Sequence, residues 1–218
     1  MAHIEKYKTS SVRKLLRHDC RELADYNPSR IKSEIDPDRS KDNYSLLERA
    51  NPYEYFKERK AELYCYGRAD VKTMVGVIIT APKGLDETKH KEFFSECVKF
   101  LNNRYGEVNA ISAMVHMDET SPHLHFRFIP AVADNKHGGE KICAKEILTK
   151  KHLQEFHPDL QNHITAAGLN AKIINGATEA QGGNRQPHEY KQEQLQNLKL
   201  NIRDGRDRAE LEQGVFIR

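Results

Sequence analysis

The sequence predicts an α/β fold on three observations. Met74 to Thr80 is an unbroken apolar run rich in β-branched residues, and Asp86 to Tyr105 carries apolar residues at helical spacing. Between Ala110 and Ile129, two apolar stretches flank a polar turn, which is the pattern of a β-hairpin. At 218 residues the chain is long enough for one substantial domain, with or without an appendage.

From the N-terminus, His3 to Lys8 alternates weakly and predicts a short strand. Thr9-Ser10-Ser11 offers cap oxygens for a helix from about Val12 to Ala24, with Val12, Leu15, Leu16 and Leu23 on its buried side. On that helix His18, Arg21 and Glu22 are neighbours, and Arg13, Lys14, Arg17 and Arg21 make a basic face. Asn27 to Asn51 is polar and broken by Pro28 and Pro37, which predicts a long ordered loop of the kind that compact domains keep for binding. Pro52 opens a helix from Tyr53 to Leu63, with Asn51 as its cap.

The run Met74 to Thr80, apolar on both faces, predicts a central strand. After the Pro82-Lys83-Gly84 turn, Asp86 or Thr88 starts a helix through Phe93, Phe94, Val98, Phe100 and Leu101 that stops at Tyr105-Gly106. Ala144 to Gly168 reads as helical, kinked or divided by Pro158, and Ala171 to Ile174 as a last strand. Small polar residues from Gly176 to Pro187 read as a linker. Glu189 to Gln213 reads as a charged helix whose thin apolar stripe suits a partner better than an independent core.

Composition narrows the functional classes. No apolar run approaches the roughly 20 residues needed to cross a bilayer, and the N-terminus lacks the apolar centre of a signal peptide, so the expectation is a soluble, cytoplasmic protein. Cys20, Cys65, Cys97 and Cys143 form no CxxC element, consistent with a reducing compartment. A net charge of only +3 gives no strong global signal for nucleic acid, leaving the local basic face on the first helix as the candidate. GxGxxG, Walker and GxSxG motifs are absent from the sequence, which argues against ATP-driven and Rossmann chemistry.

The densest chemical signal is His116-Met-Asp-Glu-Thr-Ser-Pro-His123-Leu-His125. Alternation along a strand puts His123 and His125 on one face and Leu124 and Phe126 on the other, and antiparallel pairing through the turn brings His116 beside them. Three imidazoles with no fourth ligand in the run describe a metal site with open coordination positions, as catalysis requires. Asp118 reads as a turn cap or as an acceptor that orients a ligand histidine.

This hairpin resembles the metal motif of the Mob/Pre, or MobV, plasmid relaxases of the HUH endonuclease superfamily. Two further matches lie upstream: His18-Asp-Cys-Arg21, and Asp36-Pro-Asp-Arg-Ser-Lys-Asp-Asn43-Tyr44. The resemblance implies a mainly antiparallel central sheet of the HUH relaxase/Rep type with helices packed on it. It gives residues 1–176 as the relaxase domain and 177–218 as the linker and charged C-terminal segment. Family members often continue into a long helical C-terminal region, so a chain stopping at Arg218 reads as a short member or a truncated one.

Such relaxases nick one strand at an origin of transfer and stay attached to the 5′ phosphate until religation. Carried over residue by residue, the resemblance gives His116, His123 and His125 as ligands of Mn²⁺ or Mg²⁺, although ligand preference alone favours Zn²⁺, Mn²⁺ or Ni²⁺ over Mg²⁺. It gives His18 as the favoured nucleophile with Tyr44 as its rival, Glu119 as the group that orients or deprotonates His18, and Arg21 as a clamp on His18 or on phosphate. Arg30, Lys32, Arg39, Lys41 and Asn43 are expected to touch DNA, since their loop is rich in charge and hydrogen-bonding groups. The implied partners are origin DNA, as single strand and hairpin, and a conjugative coupling protein. Two alternatives stay open: a three-histidine metallohydrolase that forms no adduct, and a non-catalytic module that binds an origin or promoter.

Overall fold

The computed structural model describes residues 2–22 and 35–174. β1 (Ala2–Lys8), β2 (Tyr44–Ser45), β3 (Lys72–Thr80), β4 (Ala110–His116) and β5 (His123–Phe128) form one sheet in the order β1-β3-β5-β4-β2. Every neighbouring pair is antiparallel, as the α/β reading with a mainly antiparallel sheet required. The helices are α1 (Thr9–Asp19), α2 (Pro52–Ala61), α3 (His90–Tyr105), α4 (Ala144–Ile147) and α5 (Lys150–Ala166). A separate two-stranded ribbon, β6 (Ala131–Ala133) with β7 (Glu140–Ile142), follows the hairpin.

Strand alternation decides what each face of the sheet does. Val75, Val77 and Ile79 of β3, Leu124, Phe126 and Phe128 of β5, and Ala113 and Val115 of β4 turn to one side, where Phe93, Phe94, Cys97 and Leu101 of α3 and Phe156, Leu160 and Ile164 of α5 cover them. Phe93, Phe94, Phe126, Phe128 and Phe156 are fully buried there, each contributing about 1.5–3 kcal/mol. The opposite face carries a smaller core of Val12, Leu16, Phe56, Met74, Ile111 and Ile129 beneath α1 and α2. The histidines of β4 and β5 lie on this second face, so the large core holds the hairpin rigid from behind and leaves its polar side for chemistry.

Several expectations hold. Asn51 caps α2 by accepting from the backbone N–H groups of Tyr53 and Glu54. β3 is interior, paired with β1 and β5. Asp86 accepts from the Thr88 N–H and starts a 3₁₀ turn that runs into α3, which ends at Gly106 with φ 85°.

Others are corrected. α1 stops at Asp19 rather than Ala24, and Arg21 lies beyond its end with φ 54°, so the helical neighbourhood of His18, Arg21 and Glu22 does not form. Thr9, Ser10 and Ser11 do not cap α1: Lys8 is its cap residue, and the Thr9 hydroxyl instead shares a 2.9 Å hydrogen bond with that of Thr73. The helical stretch after Ala144 divides at Thr149, whose side chain accepts from the His152 N–H, and α5 runs on through Pro158. Ala171 to Ile174 is no strand. Leu169, Ala171 and Ile173 are buried in strand-like alternation, but the Gln161 side chain takes up the backbone groups there, donating to the Ala171 carbonyl at 3.0 Å and accepting from the Ile173 N–H at 2.7 Å. Leu23 and the expected linker and charged helix beyond Asn175 lie outside the described residues.

Candidate metal centre

His116 ends β4 and His123 opens β5, paired directly across the hairpin, and His125 is the next residue of β5 on the same face. One nitrogen from each ring lies within 4.8 Å of the others, with ring centroids 4.5 to 5.3 Å apart. The hydrogen bonds on their far sides fix where the lone pairs point. His116 donates from Nε2 to the Asp19 carbonyl at 2.8 Å, leaving Nδ1, which is buried without a hydrogen-bond partner among the described residues. His123 donates from Nδ1 to the Ser121 carbonyl at 2.8 Å, leaving Nε2.

For His125 the choice is between accepting at Nδ1 from Arg127 at 3.1 Å and donating from Nδ1 to Asp19 Oδ1 at 3.3 Å. Donation is the consistent choice for a metal site, because it leaves Nε2 unprotonated and gives the carboxylate–histidine pairing that steadies metal ligands. The Nε2 atoms of His123 and His125 then face each other at 2.9 Å. Two lone pairs at that distance repel unless a cation lies between them, and bonds of about 2.1 Å to one ion at right angles put ligand nitrogens about 3 Å apart. The donor set therefore fits a divalent ion. Burial, reinforced by the Arg21 charge, holds His116 down to about 4, and burial holds His125 well below the ordinary histidine range, so both rings are neutral and ready to ligate near pH 7.

Behind the triad sits an ion pair that the sequence reading missed. Asp19, fully buried at the end of α1, accepts from Arg127 Nε at 2.6 Å and Nη2 at 2.9 Å. Burial alone would raise the Asp19 carboxyl, but the Arg127 guanidinium overrides it and keeps the group ionised. The guanidinium occupies space that only a glycine leaves: Gly76 is paired with Arg127 across β3 and β5, and a Cβ there would collide with it. A cation at position 127 amid Phe126, Phe128 and Ile129 was the available sequence signal, since a charge inside a buried strand needs a partner.

A second hub closes the hairpin turn. Asp118, 1% exposed, accepts from Arg21 Nε at 3.0 Å and Nη2 at 2.6 Å, from Ser40 Oγ at 2.7 Å and from Asn43 Nδ2 at 2.8 Å. Asn43 Oδ1 accepts from the Met117 N–H at 2.6 Å, and the Asp118 carbonyl accepts from the Asp36 N–H at 2.8 Å. Burial opposes ionisation of Asp118, but these donors outweigh it and hold the carboxyl down at about 2. The left-handed turn after α1 and the 3₁₀ turn at Pro37–Asp42 are thus stapled to the hairpin.

The expected site residues are distributed as follows. Arg21 reaches Glu119 Oε1 at 2.6 Å, and Glu119 stands 3.8 Å from His116 Nδ1 and 3.9 Å from His123 Nε2, at the mouth of the triad. His18 is about half exposed, with its ring centroid 6.2 Å from His116 and 5.9 Å from His125, and its Nδ1 3.5 Å from Asp19 Oδ1. Tyr44 pairs with Val115, so its ring packs into the large core on the face away from the histidines. Its hydroxyl is buried without a partner among the described residues, and burial pushes it up to about 12. Arg39 and Lys41 are exposed on the 3₁₀ turn, while both ends of the Asn43 amide are spent on the hairpin staple. Arg30 and Lys32 lie outside the described residues.

Comparison with known proteins places this geometry. Residues 1–192 match the plasmid recombination enzyme family, Mob_Pre. A plasmid recombination enzyme of Bacillus thuringiensis is 27% identical over 213 residues, covering 92% of this chain and 46% of that protein. One of Lactiplantibacillus plantarum is 28% identical over 182 residues, covering 79% and 48%. The chain thus spans about half the length of the curated relatives it matches. Among solved structures, the manganese-bound MobM relaxase domain in complex with plasmid pMV158 oriT DNA is 25% identical, covers 88% of this chain and 98% of that one, and superposes with a TM-score of 0.68. A further manganese-bound structure of that domain with a 23-nucleotide oriT strand reaches a TM-score of 0.69 at 23% identity and shows the shared fold.

Proposed function

Because the chain belongs to the plasmid recombination enzyme family, we propose that it is a DNA-nicking relaxase. In this reading it cleaves one strand at a plasmid or mobile-element origin of transfer and holds the 5′ end covalently until the strand is resealed. The observation that carries this is the gathering of three imidazole nitrogens within 4.8 Å of one another, with a fourth, half-exposed histidine ring, His18, beside two of them. His116 Nδ1, His123 Nε2 and His125 Nε2 would hold Mn²⁺ or Mg²⁺. When bound, the ion supplies Lewis-acid polarisation of the scissile phosphate.

His18 is the nucleophile in this mechanism. The tautomer that donates Nδ1–H to Asp19 keeps its lone pair on Nε2, and a neutral imidazole is a competent nucleophile near pH 7. Nε2 forms the N–P bond, the P–O3′ bond breaks, and the 3′-oxygen departs and takes up a proton. That proton comes from solvent water, and Glu119, gripped by Arg21 beside the triad, is the group that orients His18. Reversal reseals the strand with no nucleotide cofactor. Asp19 balances the charge on the N-phosphorylated imidazolium, much as a carboxylate steadies the histidine of a catalytic triad. Tyr44 is the weaker candidate, since its hydroxyl is buried on the other face of the sheet.

Arg39 and Lys41 offer phosphate contacts along the approach to the site, and Arg30 and Lys32 complete that set by sequence. The role of Asn43 toward DNA is indirect, through the loop it anchors. The same reading assigns residues 1–176 to the nicking domain and 177–218 to a linker and charged helix. It also implies a cytoplasmic setting, with a conjugative coupling protein as a further partner. No helix among the described residues is long and apolar enough to cross a membrane.

The test is to incubate the chain with Mn²⁺ and a supercoiled plasmid bearing the origin of its own mobile element. Relaxed circles carrying bound protein through an acid-labile, alkali-stable link are expected. Multiple-turnover cleavage without an adduct would establish the metallohydrolase instead, and binding without nicking would reduce the chain to a recognition module.

A further inference from the structure

Asp118 and Glu119 are neighbours in the chain, and a single nitrogen bonds both. Arg21 Nη2 donates at 2.6 Å to Asp118 Oδ1 and at 2.6 Å to Glu119 Oε1, and since such a nitrogen carries two hydrogens, each carboxylate takes one. Arg21 Nε adds a bond of 3.0 Å to Asp118 Oδ2, which makes that pair bidentate and fixes the plane of the guanidinium. A rigid fork held along one edge has its remaining hydrogens in set directions. The direction of the bond to Glu119 is therefore decided at Asp118. Glu119 in turn stands 3.8 Å from His116 Nδ1 and 3.9 Å from His123 Nε2, where a carboxylate favours a cation among the three imidazoles.

Asp118 is itself placed from elsewhere. Its side chain is fully buried, and Ser40 Oγ and Asn43 Nδ2 reach Oδ2 at 2.7 and 2.8 Å. These donors belong to the 3₁₀ turn Pro37–Asp42 and to the residue that caps it, and the same turn exposes Arg39 and Lys41. On the other side, Arg21 holds a left-handed φ of 54°, a conformation that a residue with a Cβ keeps only where its surroundings enforce it. The turn thus fixes Asp118, Asp118 fixes Arg21, and Arg21 fixes Glu119. An amide at position 118 would turn an NH₂ group toward one of these donors, so the chain of contacts needs a carboxylate there.

We infer that Asp118 is a positioning residue for strand nicking: acting through Arg21, it sets the place of Glu119 and makes that place depend on the seating of the Pro37–Asp42 turn. This rests on the strand-nicking reading of the metal centre and adds a regulation to it. Arg39 and Lys41 are the side chains proposed to meet the strand, so a loaded strand steadies the turn, and the group that orients His18 comes into line when substrate is present.

The experiment is a double-mutant cycle on the full chain that crosses Ser40→Ala with Glu119→Gln. Two quantities are read: the rate of adduct formation in Mn²⁺ on a saturating single strand bearing the nick site of its own origin, and the Kd for Mn²⁺ alone by calorimetry. Ser40→Ala removes a neutral donor and so changes no charge near the site. In the wild-type background it should slow adduct formation and weaken Mn²⁺ binding by about 3–10-fold each, and Ser40→Thr should restore both. In the Glu119→Gln background, Ser40→Ala should change neither by more than about twofold. Losses that multiply in the double variant would mean that Ser40 and Asp118 act on general packing and would overturn the proposal, as would a Ser40→Ala protein equal to wild type in both quantities. Asp118→Asn is the stronger perturbation, expected to weaken Mn²⁺ binding by about 10–100-fold, and if it does not fold the Ser40 cycle still decides. Absence of any adduct from the wild type would overturn the nicking reading alone, and the Mn²⁺ arm of the cycle would then decide the positioning role.

Discussion

Replacing Gly76 with alanine adds one methyl group on β3, a strand that holds none of the triad, yet it should weaken the metal centre. The new Cβ would overlap the Arg127 guanidinium and press on the Tyr7 ring, so Arg127 must leave its place. Its two bonds to Asp19, at 2.6 and 2.9 Å, go with it, and Asp19 is left as a buried anion with its main partner removed. Breaking a buried pair in this way costs about 3–5 kcal/mol. For a domain of this size, at roughly 2–4 °C per kcal/mol, the melting temperature should fall by about 6–20 °C. Because Asp19 also steadies His125, Mn²⁺ affinity should fall by about 10–100-fold in the fraction that folds. Thermal melts followed by circular dichroism, with and without Mn²⁺, read both effects. Gly67→Ala is the control, since a Cβ there meets nothing within 4 Å, and its effect should stay within about 0.5 kcal/mol. A Gly76→Ala protein that melts within 2 °C of wild type, on the scale just given, would refute the claim that Arg127 is locked against that glycine.

Further outcomes follow from the same geometry. Saturating Mn²⁺ at about 100 times its Kd should stabilise the chain by about 2.7 kcal/mol, and His123→Asn should remove that gain in a melt. In the metal-free chain, His116 is held down to about 4, so between pH 6.5 and 4 the unfolded chain takes a proton that the folded one refuses. Stability must therefore fall as pH drops through that window, by up to about 1.4 kcal/mol per pH unit from this residue, and urea titrations at pH 7 and 5 that gave equal stability would contradict it. His18→Ala should abolish the protein–DNA adduct on a denaturing gel while leaving Mn²⁺ and DNA binding largely intact, and Tyr44→Phe should retain cleavage. Asn43→Ala leaves the Met117 N–H and one Asp118 oxygen short of a partner and should cost about 1–3 kcal/mol in denaturant unfolding.

The hairpin was legible because its evidence is local. Two apolar strands, a proline-bearing turn and a two-residue histidine alternation settle both the pairing and the face without reference to the rest of the chain. The Asn51-Pro52 helix start was readable for the same reason. What escaped depends on distant partners. α1 ends at Asp19 where that carboxylate meets Arg127, 108 positions along the chain, and Arg21 turns left-handed where Asp118 and Glu119 capture it. β2 is two residues long and exists only through its pairing with β4, so no periodicity announces it. Ala171 to Ile174 shows the reverse failure: a strand-like alternation whose backbone is satisfied by a glutamine side chain.

One peptide bond joins His18, at the open side of the centre, to Asp19, anchored in its floor. If His18 attacks as proposed, attacker and anchor are geared together: any tilt of the last turn of α1 that moves the ring also drags the carboxylate beside His125. On that reading, a nucleophile moved to another turn of this helix would lose the fixed reference point that the buried Asp19 gives it.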